Sequence, residues 1–246
     1  MVMVLARIGM PAKPKKRNKT LPKVGMQLSL ARTGGVGGPR KGAGARKPSK
    51  DGRRQVPHRR RPRLDGKNHP VHVTLRVKRG VGVPSLRAQT MHALFLDLLR
   101  EAAGLAFHVP HHSLQHDHVH LLVEARDAKA LSSAMSSLVI RFAKRLNAML
   151  GRKGSVWDGR YHRHDLETPT EVARCVVYVL MNGKKHGLAP RNASWLDEFS
   201  SAAQFDGWSD VEITAPLERP PRTWFLRIGY RKSGLKLCTT MAPRAA

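Results

Sequence analysis

Alternating apolar and polar positions begin near residue 69 and predict a strand. Val71, Val73 and Leu75 alternate with polar side chains, the period of a strand with one buried face. Later segments show either the same alternation or apolar residues every three to four positions, the period of an amphipathic helix. These patterns predict a helix over 85–103, strands over 105–114 and 118–124, a helix over 131–150 and a short strand over 161–166.

One further helix has a clear start signal in Thr168-Pro169-Thr170-Glu171. This is a capping box with proline at the first helical position, and the helix should run to about Asn182. The whole order is strand, helix, strand, strand, helix, strand, helix. We therefore predict an α+β fold, a ferredoxin-like antiparallel sheet with helices packed on it.

The chain divides into three parts by composition. Residues 1–67 hold twenty Lys or Arg against two acidic residues and are rich in Gly and Pro, so we predict a disordered basic N-terminal tail. The tail is interpreted as a nonspecific DNA-binding segment, with a merely solvated tail as the alternative. Residues 68–190 hold the predicted domain, and 191–246 form a C-terminal extension in which we expect packing anchors at Trp195, Trp208 and Trp224.

The formal net charge of +28 over 246 residues indicates a polyanionic partner. Nucleic acid is favoured, because Lys and Arg displace its condensed counterions. An anionic membrane surface is a distant second, since no run of 18 apolar residues occurs, and we expect no membrane partner. Cys175 and Cys238 form no CxxC motif, so we expect reduced thiols and a cytoplasmic protein, associated with the nucleoid through DNA.

His118-Val119-His120 opens an apolar strand and is the first candidate for chemistry. Strand alternation places both imidazoles on one face, where they can form half of a divalent metal site. A second pair, His162-Arg163-His164, ranks lower, because the arginine between its histidines does not mark a core-facing strand side.

On the capped helix, Tyr178 and Asn182 are four residues apart and share a face, with Arg174 and Lys185 at helical spacing from them. A tyrosine among such residues on an otherwise apolar helix is suggestive of chemistry. A half-buried packing tyrosine with its hydroxyl in water is the alternative, and spacing alone favours that alternative.

Together these motifs resemble those of the HUH single-tyrosine transposases of insertion-sequence type, where U is a large apolar residue. Gln115–Glu124 is similar to the HUH segment. Tyr178-Val179-Leu180-Met181-Asn182, followed by Lys185-His186-Gly187, is similar to the tyrosine helix of the REP-associated branch, and Arg160-Tyr161-His162 matches a further stretch of that branch. Many relatives have Asn-Pro where this chain has Asn182-Gly183.

The resemblance implies a ferredoxin-like fold and a set of roles. His118, His120 and Asn182 would bind a divalent metal, Mg²⁺ or Mn²⁺, although Asn is shorter than the Gln often found at its position. Tyr178 would attack a DNA phosphodiester and form a 5′-phosphotyrosine link. The substrate would be single-stranded or hairpin DNA, bound by a monomer or homodimer. Candidates for DNA contact are Arg76, Arg160, Arg174, Lys184 and Lys185.

The leading hypothesis is therefore an active transposase that cleaves and rejoins DNA strands. A second hypothesis is a catalytically inactive nucleic-acid-binding protein that keeps the transposase fold. A third, a basic ribosome-associated protein, explains the charge but neither the histidine pair nor the tyrosine helix.

Overall fold

The computed structural model describes residues 69–190, 192–241 and 243, so the predicted N-terminal tail lies outside the described residues. Four antiparallel strands form one sheet in the order β2-β3-β1-β4. Helix α1 connects β1 to β2, and helix α2 connects β3 to β4. The bounds are β1 Val71–Arg76, α1 Gln89–Ala102, β2 Phe107–Leu114, β3 His118–Ala125, α2 Ala128–Met149 and β4 His162–Asp165. This order is ferredoxin-like, and the predicted fold class is confirmed.

Both faces of the sheet are covered, and β3 shows this most clearly. Val119, Leu121 and Val123 are fully buried in the core that the sheet forms with α1 and α2. Leu122 points to the opposite face and belongs to a second core with helix α3 (Pro169–Leu180). Every residue of β3 is consequently buried, including His118.

Two helix starts differ from the predicted positions for local reasons. α1 begins at Gln89, not at Ser85, because the Ser85 hydroxyl accepts a hydrogen bond from the Arg87 N–H (3.1 Å) and holds a turn there. α2 begins three residues early, because Asp127 caps it by accepting the Ala130 N–H at 2.7 Å.

The start of α3 lies where the capping box predicted it. Thr168 Oγ1 accepts the Glu171 N–H at 3.2 Å, while Glu171 Oε2 accepts the Thr168 N–H at 3.1 Å. Pro169 is the first residue of the helix. α3 ends at Leu180, and a single further turn, α4 (Asn182–Lys185), follows it.

The C-terminal segment packs against β3 and α3. The buried Glu124 carboxylate accepts hydrogen bonds from the backbone N–H groups of Arg222 (2.8 Å) and Thr223 (2.7 Å), just before α5 (Trp224–Arg227). Trp208 is buried as expected, whereas Trp224 is 45% exposed and packs only part of its ring, edge-on against Phe225 with centroids 5.2 Å apart. Within the described residues, no helix has the length and apolar character needed to cross a membrane.

Candidate active site

His118 and His120 lie side by side on the face of the sheet that α3 covers. Their ring centroids are 4.9 Å apart, and their side chains are almost completely buried. Strand alternation accounts for the shared face, and Val119 between them anchors the strand in the opposite core. The structure therefore brings the two predicted metal ligands together.

Hydrogen bonds hold both imidazoles through Nδ1. His118 Nδ1 lies 2.7 Å from Asp117 Oδ1, and His120 Nδ1 lies 3.1 Å from His72 Nε2 and 3.2 Å from Thr74 Oγ1. The buried Nε2 of His120 has no hydrogen-bond partner among the described residues. Histidines that bind metals are held in this way, with one ring nitrogen fixed by a neighbour and the other free to coordinate.

At His120, burial favours the neutral imidazole that metal binding requires. Burial lowers the pKa of His120 to about 2, with the neighbouring His72 and His118 adding to the effect. Burial also lowers the pKa of His72 to about 4. Burial would raise the pKa of Asp117, but its hydrogen bond to His118 and the Arg76 charge outweigh that effect and lower it, so the carboxylate is ionised.

Tyr178 contacts this cluster from α3. Its ring packs edge-on against the rings of His120 and His72, with centroids 5.2 and 5.7 Å away. Lys185 on α4 donates a hydrogen bond from Nζ to the Tyr178 hydroxyl at 3.3 Å, and its ammonium lies 4.8 Å from the ring centroid. A cation at the phenol oxygen stabilises negative charge on that oxygen.

Tyr161 lies on the other side of the sheet. It precedes β4 and packs against the core formed with α1 and α2, whereas His162 pairs with Thr74 and shares the face of the histidine cluster. The structure thus separates Tyr161 from the cluster that Tyr178 contacts.

Two carboxamides are buried with unpartnered polar atoms, one on the turn after α3 and one just before the histidine pair. Asn182 is fully buried, and neither side-chain atom has a hydrogen-bond partner among the described residues. Gln115, whose N–H donates to the His118 carbonyl at 2.8 Å, also carries an unpartnered buried Oε1. No group of three or more His, Cys, Asp or Glu in the described part of the chain is placed to hold a metal. Two imidazoles with an amide oxygen are a smaller donor set, and they fit Mn²⁺ or Mg²⁺ when phosphate oxygens join them.

Of the five residues predicted to contact DNA, four are exposed and one, Lys184, is buried. Arg76, Arg160, Arg174 and Lys185 are exposed, and Arg76 Nε lies 3.8 Å from Asp117 Oδ2 beside the histidine pair.

The prediction that Lys184 contacts DNA is wrong. Its side chain is 2% exposed and its Nζ donates to the carbonyls of Ala193 (2.6 Å) and Thr239. The α4 turn directs Lys184 beneath the C-terminal segment, so it is unavailable to DNA.

Sequence reasoning missed four neighbours of the histidine pair: His72, Thr74, Asp117 and His186. The ring of His186 lies 5.0 Å from that of His118. His72 and Thr74 alternate on β1, and that pattern would have placed them on one face, but only the strand register sets them opposite β3. Asp117 adjoins His118 in the sequence, so a carboxylate next to the motif was the available signal.

A comparison with protein families agrees with these motifs. Residues 67–179 match the protein family described as IS200-like transposases. Among solved structures, the chain is similar to a REP-associated tyrosine transposase bound to a REP hairpin, with 19% identity and a TM-score of 0.45, over 59% of this chain and 82% of that chain. No curated protein matches. The family match confirms the predicted resemblance to transposases over this segment.

Proposed function

We propose that this chain, a member of the IS200-like transposase family through residues 67–179, cleaves and rejoins single-stranded DNA with Tyr178 as nucleophile. The observation that carries the proposal is the contact of Tyr178 with His120 and Lys185 on one face of the sheet. A tyrosine nucleophile needs a fixed position and charge stabilisation, since free tyrosine has a pKa of about 10.

The proposed chemistry has a cleavage step and a rejoining step. The Tyr178 hydroxyl loses its proton as its oxygen attacks the phosphorus of a phosphodiester. The bond from phosphorus to the 3′ oxygen breaks, and the freed 3′ oxygen takes up a proton. The product is a 5′-phosphotyrosine link, which conserves the energy of the phosphoester bond. A 3′ hydroxyl can therefore attack the link later and rejoin a strand without ATP.

The residues around Tyr178 have distinct parts in this proposal. Lys185 stabilises the phenolate at its 3.3 Å contact and, with the exposed Arg76, attracts the phosphate. The rings of His72 and His120 hold the tyrosine ring in place. Mg²⁺ or Mn²⁺ bound by His118, His120 and Asn182 would supply charge neutralisation and polarise the scissile phosphate.

The substrate class follows from charge and family. The excess of Lys and Arg indicates a nucleic-acid partner. A phosphate must approach a tyrosine that is only half-buried, beside a covered sheet face, and an unpaired strand or a hairpin end fits such a site more easily than continuous duplex. Gel filtration with light scattering on the full chain distinguishes a monomer from a homodimer.

The test is cleavage of an end-labelled pool of single-stranded and hairpin oligonucleotides of random sequence by the full chain. We expect cleavage with Mg²⁺ or Mn²⁺, none with a chelator, and none with Tyr178→Phe. Tyr161→Phe is the matched control and should still cleave. Binding of the pool without cleavage by the wild-type chain would contradict the proposal and favour the inactive nucleic-acid-binding protein.

A further inference from the structure

The C-terminal part of the chain, beyond the family match, is strongly basic. Residues 219–246 contain seven Lys or Arg and no Asp or Glu. The match to the transposase family ends at residue 179, so this charge lies outside it. A one-sided charge of this kind is typical of a surface for a polyanion.

An aromatic ring lies among these cations. Trp224 is 45% exposed and Ile228 is 50% exposed, and the side chains of Arg222, Arg227 and Lys232 are exposed around them. We call these five residues the Trp224 surface. The Lys232 ammonium lies 5.5 Å from the Trp224 ring centroid. Exposed aromatics with adjacent cations are the pattern by which proteins bind single strands.

The backbone of the Trp224 surface is held firmly. Thr223 caps α5 by accepting the Leu226 N–H at 3.4 Å, and the buried Glu124 binds the two residues before Trp224. At Gly229 a Cβ would lie 2.6 Å from the Trp224 ring, so glycine is needed for the ring to pack there. A ring fixed in this way loses little freedom when a base stacks on it.

Phe225, whose ring packs against that of Trp224, connects the Trp224 surface to the residues just before β1. The ring of Phe225 packs edge-on against that of His69, 5.0 Å away. His69 precedes His72 by three residues, which is about 10 Å along an extended chain. Because His72 contacts Tyr178, a strand of a few nucleotides would span the interval.

We propose that the Trp224 surface binds single-stranded DNA next to the tyrosine site, with a base stacked on Trp224 and phosphates paired with Arg227 and Lys232. This inference rests on the proposed function only for the continuation of the strand toward Tyr178. Charge complementarity favours DNA over a second copy of the chain, since two such basic surfaces would repel each other.

The experiment measures binding of fluorescein-labelled oligothymidylate to the full chain by anisotropy at elevated salt, where contributions from other phosphate contacts are reduced. We expect Trp224→Ala to weaken binding about tenfold, because base–aromatic stacking is a large part of single-strand affinity. Trp224→Phe should bind nearly as wild type. The exposed Ile140 on α2 provides a matched control, and Ile140→Ala should leave affinity unchanged.

A charge variant gives an independent readout. Arg227→Gln with Lys232→Gln should reduce the salt dependence of binding by about two phosphate contacts. Oligothymidylate binding that is the same in Trp224→Ala, or a salt dependence unchanged in the double variant, would overturn the inference. So would a defect confined to binding of anionic lipid vesicles or to self-association. Oligothymidylate binding by the wild-type chain without any DNA cleavage would count against the proposed function but not against the binding role of the Trp224 surface.

Discussion

Replacing one buried histidine should make the protein measurably less sensitive to acid. Burial lowers the pKa of both His111 and His112 from 6.5 to about 3, and neighbouring histidines add to the effect. Both are therefore neutral in the folded protein, while the unfolded chain protonates them below pH 6.5. Folding stability is then fully present above about pH 6.5 and is lost as the pH falls toward 3.

The size of the effect follows from two protons taken up on unfolding. Each contributes about 1.4 kcal/mol per pH unit, so the pair would remove about 5 kcal/mol at two units below pH 6.5. That is comparable to the whole stability of many domains. Neither ring nitrogen of His112 has a hydrogen-bond partner among the described residues, so His112→Leu should cost little at neutral pH.

The assay is urea denaturation of wild type and His112→Leu at several pH values from 7 down to about 4.5. The difference in unfolding free energy should shift in favour of the variant by about 1.4 kcal/mol per pH unit below 6.5. His162→Leu, at an exposed histidine, is the control and should not show this shift. A difference between wild type and His112→Leu that stays constant with pH would refute the reasoning.

Three further outcomes are expected. Asp197→Ala should lower the free energy of unfolding by about 3–5 kcal/mol in urea denaturation. The reason is that the Arg87 guanidinium, whose nitrogens lie 2.8 Å from the Asp197 carboxylate oxygens, would lose its partner. An unchanged denaturation midpoint would contradict this. Asp117→Ala should weaken Mn²⁺ binding about 10- to 100-fold by calorimetry, since His118 Nδ1 loses its partner; equal affinity would count against the histidine site. Deleting residues 1–67, which hold twenty Lys or Arg, should lower DNA affinity and reduce its salt dependence. An unchanged salt dependence would show that the tail does not contribute to DNA binding.

Local patterns were sufficient for most of the fold. The alternation of Val71, Val73 and Leu75 identified β1, and the capping box identified the first residue of α3, because each signal depends on a few adjacent residues. The start of α1 was missed, because a single hydroxyl contact at Ser85 outweighs helical spacing there.

The burial and placement of several side chains depend on tertiary contacts that the sequence does not reveal. Lys184 and Lys185 are adjacent lysines on one short turn, yet one is buried under the C-terminal segment and the other contacts Tyr178. Trp208 and Trp224 both pack through their rings, but only Trp208 is buried, and the sequence does not show how much of an indole the rest of the fold covers. The histidine pair was recognisable from its spacing, whereas His72 needed the register between β1 and β3.

The central claim is that Tyr178 becomes covalently joined to DNA. Tyr178 contacts His120 and Lys185, while Tyr161 packs against the opposite core. The direct measurement is mass spectrometry of peptides from a trapped protein–DNA complex, formed with the random single-stranded pool and divalent metal. We expect a nucleotide attached to the peptide that contains Tyr178. A nucleotide on Tyr161, or no tyrosine adduct in a reaction that cleaves DNA, would contradict the account.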